Sequence, residues 1–415
     1  MKAIATGFLA ALGLLTAQAS AATNTTLPPT EPVVLGGGAV GVLHHPATVG
    51  DKAGIAIFVM HAEEDYLTFS ACTQLATRGY TVLCANNYAS KTGDMTDLSF
   101  ELMMADVDLG VAYLRNRTDV NQAVLFGHSG GGAMMSAYQN VAENGASACN
   151  GTEKIYPCSS AMDGLHPADG IILVDANYGL STMTLLSVNP AIENETTGAQ
   201  INQSLNLYSP ANGYTSNGAN YSAAFTKAFQ SGVAARWQRI IAHAEERNAA
   251  IDAGNGLYSD DEGLIIPDAY YIGTNNKFFA QDLRFLAHTD KAWPLLHKNE
   301  SSTTQIVQSV RVPSTIPSSA DSFQSGAVKT TIKRFLETFA IRVTDDFGYN
   351  ATDFWGVEWN STQTAPIGAV PGIKVPLLTM GMTGHWEYLN AEKVGYHPNA
   401  LESLISFADL KCRST

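Results

Sequence analysis

The sequence predicts an α/β fold with a mostly parallel central sheet and helices on both faces of that sheet. Short apolar runs alternate with helical patterns from about residue 54 to residue 177, and a further apolar run, VPLLTMGM, begins at Val375. Strands buried on both faces form continuous apolar runs, and helical crossovers connect parallel strands. The chain has 415 residues, 45% of them hydrophobic and 15% charged. That length allows one large domain with an insertion, or two or three ordinary domains.

The predicted elements follow in a regular order. GIAIFVMH, which ends at His61, predicts a buried strand, and LTFSACTQLATRG predicts a helix that stops at Gly79. YTVLCANN predicts the next strand, and LSFELMMADVDLGVAYLRNR predicts a helix because its apolar residues recur on one face. A strand, a helix and a strand then follow in AVLF, GGGAMMSAYQNVAE and GIILVDAN.

The alternation stops between residues 179 and 372, where the sequence is rich in Ser, Thr and Asn. Two strong amphipathic helices are predicted there, one from Phe225 to Ile241 and one from Ile332 to Val343. Their apolar stripes either line a substrate cleft or, as is more common, pack helices together. We interpret residues 179–372 as a large, mainly helical cap. It is inserted into a core formed by residues 22–178 and 373–415.

Residues 1–21 predict a secretory signal peptide. Lys2 precedes a short apolar run, and small residues suited to cleavage follow, up to Ala19 and Ala21. An uncleaved anchor is the alternative, although the run is shorter than a membrane span. No later run is long and apolar enough to span a membrane. We therefore expect a secreted, extracellular protein with no stable membrane span.

Sequons and cysteines agree with secretion. N-glycosylation is predicted at Asn24, Asn116, Asn150, Asn194, Asn202, Asn220, Asn299, Asn350 and Asn360. In an oxidising compartment cysteines pair, and Cys149 and Cys158, which flank a polar loop, are the best candidate pair. The pairing of Cys72, Cys84 and Cys412 does not follow from the sequence. No Cys/His spacing resembles a zinc site, so we expect no metal.

The segment AVLFGHSGGGAMM contains a G-x-S-x-G sequence centred on Ser129, between a predicted strand and a predicted helix. A serine nucleophile requires this context, because a strained strand-to-helix turn exposes its Oγ above the sheet. At the start of the helix, the Gly130 N–H can donate to a developing oxyanion. The alternative is a serine that caps a helix in a phosphate-type turn. The glycine spacing of a dinucleotide site is absent, and we interpret Ser129 as a nucleophile.

These features resemble the α/β-hydrolase superfamily, in particular a secreted, fungal-type esterase or lipase-like member with a large cap. GHSGG, the preceding strand order and the strand that ends in histidine carry the resemblance. It covers residues 33–177 and 375 to about 394. It implies that the second oxyanion donor is the backbone N–H of Ala62 or Glu63, although alanine stands where the family often has glycine. No cofactor is implied.

The catalytic acid is displaced from the place that is usual in this family. That place, after the strand in VPLLTMGM, holds residues 383–385, and none of them is an aspartate. Asp175 ends GIILVDAN, one strand after the nucleophile's, in a position that resembles the LDPA segment of pancreatic-type lipases. It is either the acid or a cap of the loop into the insertion. Glu387 and Glu392 are fallback acids or else surface charges on a helix.

The histidine base is the harder assignment. The family places it after a final strand, whereas the residues after Met380 predict a helix, a turn and a second helix. We assign His385, at the predicted sheet edge, and keep His397, in the last turn, as the alternative. Otherwise the chain is truncated, its last exon is misassigned, or the base comes from elsewhere. His61 and His128 are expected to have structural roles.

The residues together predict a serine hydrolase that cleaves a carboxylic ester through an acyl-enzyme on Ser129. Asp175 and His385 complete the triad, and Gly130 and Ala62 supply the oxyanion donors. The apolar helices of the cap suggest a bulky, partly apolar small-molecule substrate. A net charge of −14 without a basic run disfavours nucleic acid as a partner. The alternatives are a non-catalytic binding protein of the same fold with an incomplete triad, and a peptidase of that fold.

Overall fold

The computed structural model describes residues 27–89, 91, 98–271, 277–297, 299–310, 326–383, 388–400 and 405–406. The strands are β1 (Thr30–Gly36), β2 (Ala39–His44), β3 (Ile55–His61), β4 (Thr81–Asn86), β5 (Gln122–His128), β6 (Gly170–Val174), β7 (Gly263–Ile266), β8 (Trp293–Leu296), β9 (Ser302–Gln305), β10 (Val328–Thr331), β11 (Val343–Tyr349), β12 (Phe354–Val357), β13 (Leu377–Met380) and β14 (Ile405–Ser406). The α-helices are α1 (Ser70–Thr77), α2 (Phe100–Arg115), α3 (Gly130–Asn144), α4 (Leu180–Ser187), α5 (Ala223–Asp252), α6 (Lys277–Gln281), α7 (Ile332–Arg334), α8 (Pro366–Ala369) and α9 (Tyr388–Gly395).

A seven-stranded sheet in the order β1-β2-β4-β3-β5-β6-β13 forms the centre of the molecule. The strands from β4 to β13 are parallel to one another, and β1 and β2 add an antiparallel edge. Val174 pairs with His128 of β5 and with Met380 of β13, so the carboxyl ends of three strands meet at one edge. The predicted α/β fold with a mostly parallel central sheet is confirmed.

Helices cover both faces of the sheet because alternate residues of each strand are buried on opposite sides. Phe58 and Leu83 belong to the larger core beneath α2 and α3, whereas their neighbours Ile57 and Val82 belong to a smaller core beneath α1. Helix α2 begins where Ser99 Oγ accepts the Leu102 N–H. The apolar residues predicted on one face of α2 are all buried: Met103, Val107, Val111 and Leu114.

The region between residues 179 and 372 contains three small strand pairings as well as helices. The predicted helix around residues 225–241 is confirmed as part of the 30-residue helix α5, and its Trp237 Nε1 donates to the Ile341 carbonyl at 2.8 Å. The second predicted helix is wrong beyond Phe339. A π-helix spans Phe335–Phe339, and Val343 begins strand β11. Apolar residues every four positions occur in a widened turn as well, so their periodicity does not locate the end of the helix.

Two disulfides lie in the core domain. The predicted Cys149–Cys158 bridge is confirmed, and Cys72–Cys84, which the sequence did not reveal, joins α1 to β4. All sequon asparagines of the described residues are exposed or partly exposed. Asn24, Cys412 and residues 1–21 lie outside the described residues. Within the described ranges, no helix is long and apolar enough to cross a membrane.

The end of the chain differs from the prediction where it is described. A helix was expected across LESLISFADL, but residues 405–406 form strand β14, which pairs in parallel with β8. A short segment of mixed apolar and polar residues fits a strand or a helix equally well, and only a pairing partner decides between them. That partner lies more than 100 residues earlier in the sequence, where periodicity gives no signal.

Helix α2 approaches strand β3 so closely that Gly110 has no room for a side chain. A Cβ atom at this position would lie 2.4 Å from the ring of Phe58, which is fully buried. We expect Gly110→Ala to lower the free energy of unfolding by about 1–3 kcal/mol, because overpacking outweighs the helix propensity that alanine gains. Gly50→Ala, where a Cβ meets nothing within 4 Å, is the control. Urea unfolding measures both, and equal stability of the two variants would contradict this account of the packing.

Candidate active site

Ser129 lies in a strained turn between β5 and α3. Its φ of 51° and ψ of −122° are unusual for a residue with a side chain. The Ser129 N–H donates to the Val174 carbonyl at 3.2 Å, and the Ser129 carbonyl accepts the N–H groups of Gly132 and Asn177 at 3.0 and 3.1 Å. Such strain costs about 1–3 kcal/mol and is concentrated at functional sites. The turn therefore has the backbone geometry that a nucleophile elbow requires.

The glycines around Ser129 let this turn pack closely. A Cβ atom on Gly131 would lie 2.4 Å from the Met60 carbonyl oxygen, and one on Gly132 would lie 2.3 Å from the Ala176 Cβ. Gly127 is equally confined, since its Cβ would meet the Gly132 Cα at 2.6 Å. The turn thus contacts β3 on one side and the segment after β6 on the other. Residues with side chains would displace it from both.

Asp175 directly follows β6, as Ser129 directly follows β5. The two residues therefore lie side by side at the carboxyl edge of the sheet, since the last residues of these strands are paired. Asp175 also has a positive φ, 50°, and it is only 2% exposed. Its N–H donates to the Met380 carbonyl at 2.6 Å, and its Oδ1 accepts the Met382 N–H at 3.2 Å. The predicted acid thus lies beside the predicted nucleophile and contacts the segment after β13.

The assigned base, His385, lies outside the described residues, as do Gly384 and Glu387. The alternative base, His397, lies at the wrong end of the sheet. Its turn is fixed by the Asn399 carbonyl, which accepts the N–H of Leu377, the first residue of β13. About 10 Å of strand separates that end from the carboxyl edge.

Glu392, which the sequence left as a fallback acid or a surface charge on a helix, is a buried residue. It is 3% exposed, and its carboxylate accepts the Asp290 N–H at 2.7 Å, the Trp293 indole N–H at 2.8 Å and the Tyr396 hydroxyl at 2.8 Å. These partners fix α9 against the segment before β8. Glu392 therefore has a structural role, and Asp175 stays the predicted acid.

The backbone N–H of Gly130 points towards His61, the last residue of β3. The Gly130 nitrogen lies 3.1 Å from Nε2 of that ring. The ring is 5% exposed, and burial, together with the nearby His128 and Lys91, lowers the pKa of His61 to about 3. His61 is thus a neutral, packed residue at physiological pH and is no general base for Ser129.

The loop after β3 is fixed by polar side chains. Asn87 Nδ2 donates to the carbonyl oxygens of His61 and Ala62 at 3.0 and 2.9 Å, and Lys91 Nζ donates to the latter at 3.3 Å. The Glu63 N–H donates to His61 Nδ1 at 3.0 Å, so it is used inside the loop. The resemblance implied the N–H of Ala62 or Glu63 as the second oxyanion donor, and with Glu63 used in the loop, the Ala62 N–H stays the prediction. In the trans peptide between His61 and Ala62, the N–H points opposite to the His61 carbonyl and therefore away from Asn87.

Several residues that support the site carried no sequence signal. The Tyr66 hydroxyl lies 2.5 Å from His128 Nδ1, which fixes the residue before Ser129 and agrees with a structural role for that histidine. Asn390 Nδ2 donates to the carbonyls of Ala176 and Asn177 at 2.6 and 3.0 Å, and so holds the segment after Asp175. These contacts join distant parts of the chain, and only the folded structure reveals them.

Glu63 connects the loop after β3 to the inserted region. The Tyr271 hydroxyl donates a hydrogen bond to Glu63 Oε1. Burial raises the pKa of Glu63 to about 7, more than this hydrogen bond and the nearby Lys91 lower it. Helix α1 begins only at Ser70, so the acidic residues 63–65 precede it, and Glu63 contacts the region between residues 179 and 372 instead.

The raised pKa of Glu63 predicts a pH-dependent stability. Between pH 4.5 and about 7 the folded protein keeps a proton that the unfolded chain releases. The free energy of unfolding therefore falls as pH rises through this window, by up to about 3 kcal/mol for a shift of this size. We expect Glu63→Gln to flatten that slope in urea unfolding between pH 4.5 and 8. The exposed Glu64→Gln serves as the control, and an unchanged slope in Glu63→Gln would refute the assignment.

No family model matches the chain, and no curated protein matches it. Among solved structures it is similar to an inhibited esterase B from Lactobacillus rhamnosis, with a TM-score of 0.27 and 15% identity over 35% of this chain and 46% of that one. It is also similar to sarin-phosphonylated esterase 2 from Thermogutta terrifontis, with a TM-score of 0.26 and 14% identity over 38% of this chain and 57% of that one. A third similar structure is dipeptidyl peptidase 4 from Porphyromonas gingivalis, with a TM-score of 0.27 and 13% identity over 37% of this chain and 22% of that one. The chain spans about half the length of the two esterases. These identities and TM-scores are too low to assign an activity to this chain.

Proposed function

We propose that the protein is a secreted serine hydrolase of the α/β-hydrolase superfamily that cleaves a carboxylic ester through an acyl-enzyme on Ser129. The observation that carries this proposal is the positive φ of Ser129 at the junction of a buried parallel strand and a helix. The close approach of Gly131 and Gly132 to neighbouring strands supports it, because a serine that merely capped a helix would need no such packing.

The proposed cycle uses the predicted triad and the predicted oxyanion donors. Ser129 Oγ attacks the ester carbonyl while His385 takes its proton, and Asp175 orients the imidazole. The N–H groups of Gly130 and Ala62 stabilise the negative oxygen of the tetrahedral intermediate. The alcohol leaves with a proton from His385, and a water molecule then hydrolyses the acyl-enzyme by the same steps in reverse.

Contacts with the core support the assignment of residues 179–372 as a cap. Tyr271 from this region bonds Glu63, two residues after the strand that borders the site. Glu337 Oε1 accepts the Ser99 hydroxyl at 2.8 Å and the Glu101 N–H at 2.9 Å at the start of α2. A cap held at these points would limit access to Ser129 and would select a bulky, partly apolar ester.

Secretion is part of the proposal. It is supported by two disulfides, which persist in oxidising compartments, and by the accessibility of every described sequon asparagine. Mass spectrometry of the protein from culture medium tests this directly. Glycan-bearing peptides and an N-terminus after Ala19 or Ala21 are expected, whereas retention of residues 1–21 in cell-associated protein would contradict it.

A fluorophosphonate probe tests the nucleophile. We expect one covalent adduct on wild-type protein, on the peptide that contains Ser129, because the probe reacts with activated serines. Ser129→Ala abolishes labelling, and Ser147→Ala, an exposed serine, leaves it unchanged. A folded wild-type protein that forms no adduct would instead favour the non-catalytic binding protein. Release of amine from peptides, without ester hydrolysis, would favour the peptidase.

Asp175→Asn tests the acid. Asparagine tolerates a positive φ, so the backbone and the melting temperature are expected to be unchanged. The loss of negative charge beside the base should lower kcat by about 10⁴-fold. Asp169→Asn, just before the amino end of the same strand, is the matched control. If Asp175→Asn retains wild-type kcat, Asp175 is a structural residue and the acid lies elsewhere.

A further inference from the structure

The ring of His61 is surrounded by backbone N–H groups. The N–H groups of Glu63 and Glu64 point at Nδ1, at 3.0 and 2.8 Å, and the N–H of Gly130 points at Nε2, at 3.1 Å. The ring is packed beside the Tyr66 ring, with centroids 4.8 Å apart. Both ring nitrogens of a 5% exposed histidine therefore face hydrogen-bond donors.

A neutral imidazole cannot accept hydrogen bonds at both nitrogens, because one of them carries a proton. The ring is neutral, since burial holds the pKa of His61 at about 3. Two amides converge on Nδ1 and only one faces Nε2, so the lone pair belongs on Nδ1 and the proton on Nε2. The opposite tautomer would direct a ring N–H at two other N–H groups.

This tautomer places two donors next to Ser129. In this tautomer the N–H of Gly130 and the Nε2–H of His61 point towards each other, with their nitrogens 3.1 Å apart. Two N–H groups in this arrangement repel each other, and an oxygen that accepts from both removes the repulsion. An anionic oxygen does so best, since hydrogen bonds to charged acceptors are the strongest.

We propose that the Nε2–H of His61 is a side-chain oxyanion donor, which acts together with the Gly130 N–H on the negative oxygen of the acyl-transfer transition state. This inference rests on the proposed function and adds a donor to the backbone N–H groups assigned above. The glycine at residue 130 fits this role, because a Cβ there would lie 3.1 Å from both Cε1 and Nε2 of His61 and would fill the space between the donors.

The tautomer is measurable without any activity. In a ¹⁵N-labelled sample of the free, full-length protein, NMR of the imidazole nitrogens assigns the proton of His61 to one nitrogen. The Ser129→Ala and wild-type proteins should both show protonated Nε2 and unprotonated Nδ1. A proton on Nδ1 overturns the proposal, whatever the enzyme's activity.

Two substitutions separate the donor role from a structural one. In His61→Asn the side-chain carbonyl can accept the two loop amides in place of Nδ1, but no group reaches the position of Nε2. In His61→Gln the longer amide can place an N–H near that position. We expect His61→Asn to fold, to keep KM and to lose about 10²–10³-fold in kcat, as other side-chain oxyanion donors do. His61→Gln should keep more of kcat.

The reverse ranking, or a kcat of His61→Asn within about threefold of the wild type, overturns the proposal in favour of a purely structural histidine. Circular dichroism and melting temperature verify that each variant is folded. If both variants unfold, the tautomer of the wild-type protein decides. Absence of both fluorophosphonate labelling and ester turnover in the wild type overturns the proposed function and the donor role with it, whereas an Nδ1 proton in an active enzyme overturns the donor role alone.

Discussion

The strained backbone of Ser129 is the constraint on which the rest of the site depends. A residue with a side chain occupies this conformation only where its surroundings impose it. Here two hydrogen bonds hold it, one from the Ser129 N–H to the Val174 carbonyl and one from the Asn177 N–H to the Ser129 carbonyl. Those partners belong to β6 and the segment after it, which Asn390 fixes in turn. The parallel sheet thus places the serine, its neighbouring aspartate and the anchoring loops at one edge.

The same edge sets the order of the candidate site residues. The carboxyl ends of β3, β5 and β6 deliver His61, Ser129 and Asp175 in that order across the sheet. Burial keeps His61 neutral, so it can supply a hydrogen bond but no charge. Tyr271 contacts Glu63, so the region between residues 179 and 372 and the loop after β3 are joined through one half-buried carboxyl group.

Much of the fold was predictable because local patterns determine it. The buried strands, α2 and the Cys149–Cys158 bridge follow from apolar runs, one-sided periodicity and short separation along the chain. Ser129 was predicted as a nucleophile because its motif needs a strand before it and a helix after it, and the structure has both elements there. Contacts between distant segments were not predictable: the Cys72–Cys84 bridge, the burial of Glu392 and the pairing of β14 depend on which elements become neighbours. The ring contacts of His61 belong to the same class, since they involve β3, its loop and α3 at once.

If the strained turn makes Ser129 a nucleophile, the enzyme is acylated on that residue during turnover. Rapid acid quenching of the enzyme during turnover of an activated ester, followed by peptide mass spectrometry, measures this directly. We expect a stoichiometric acyl group on the peptide that contains Ser129, formed before the steady state and absent from the unfolded protein. Ester turnover with no acylated peptide, or acylation at another residue, would contradict it.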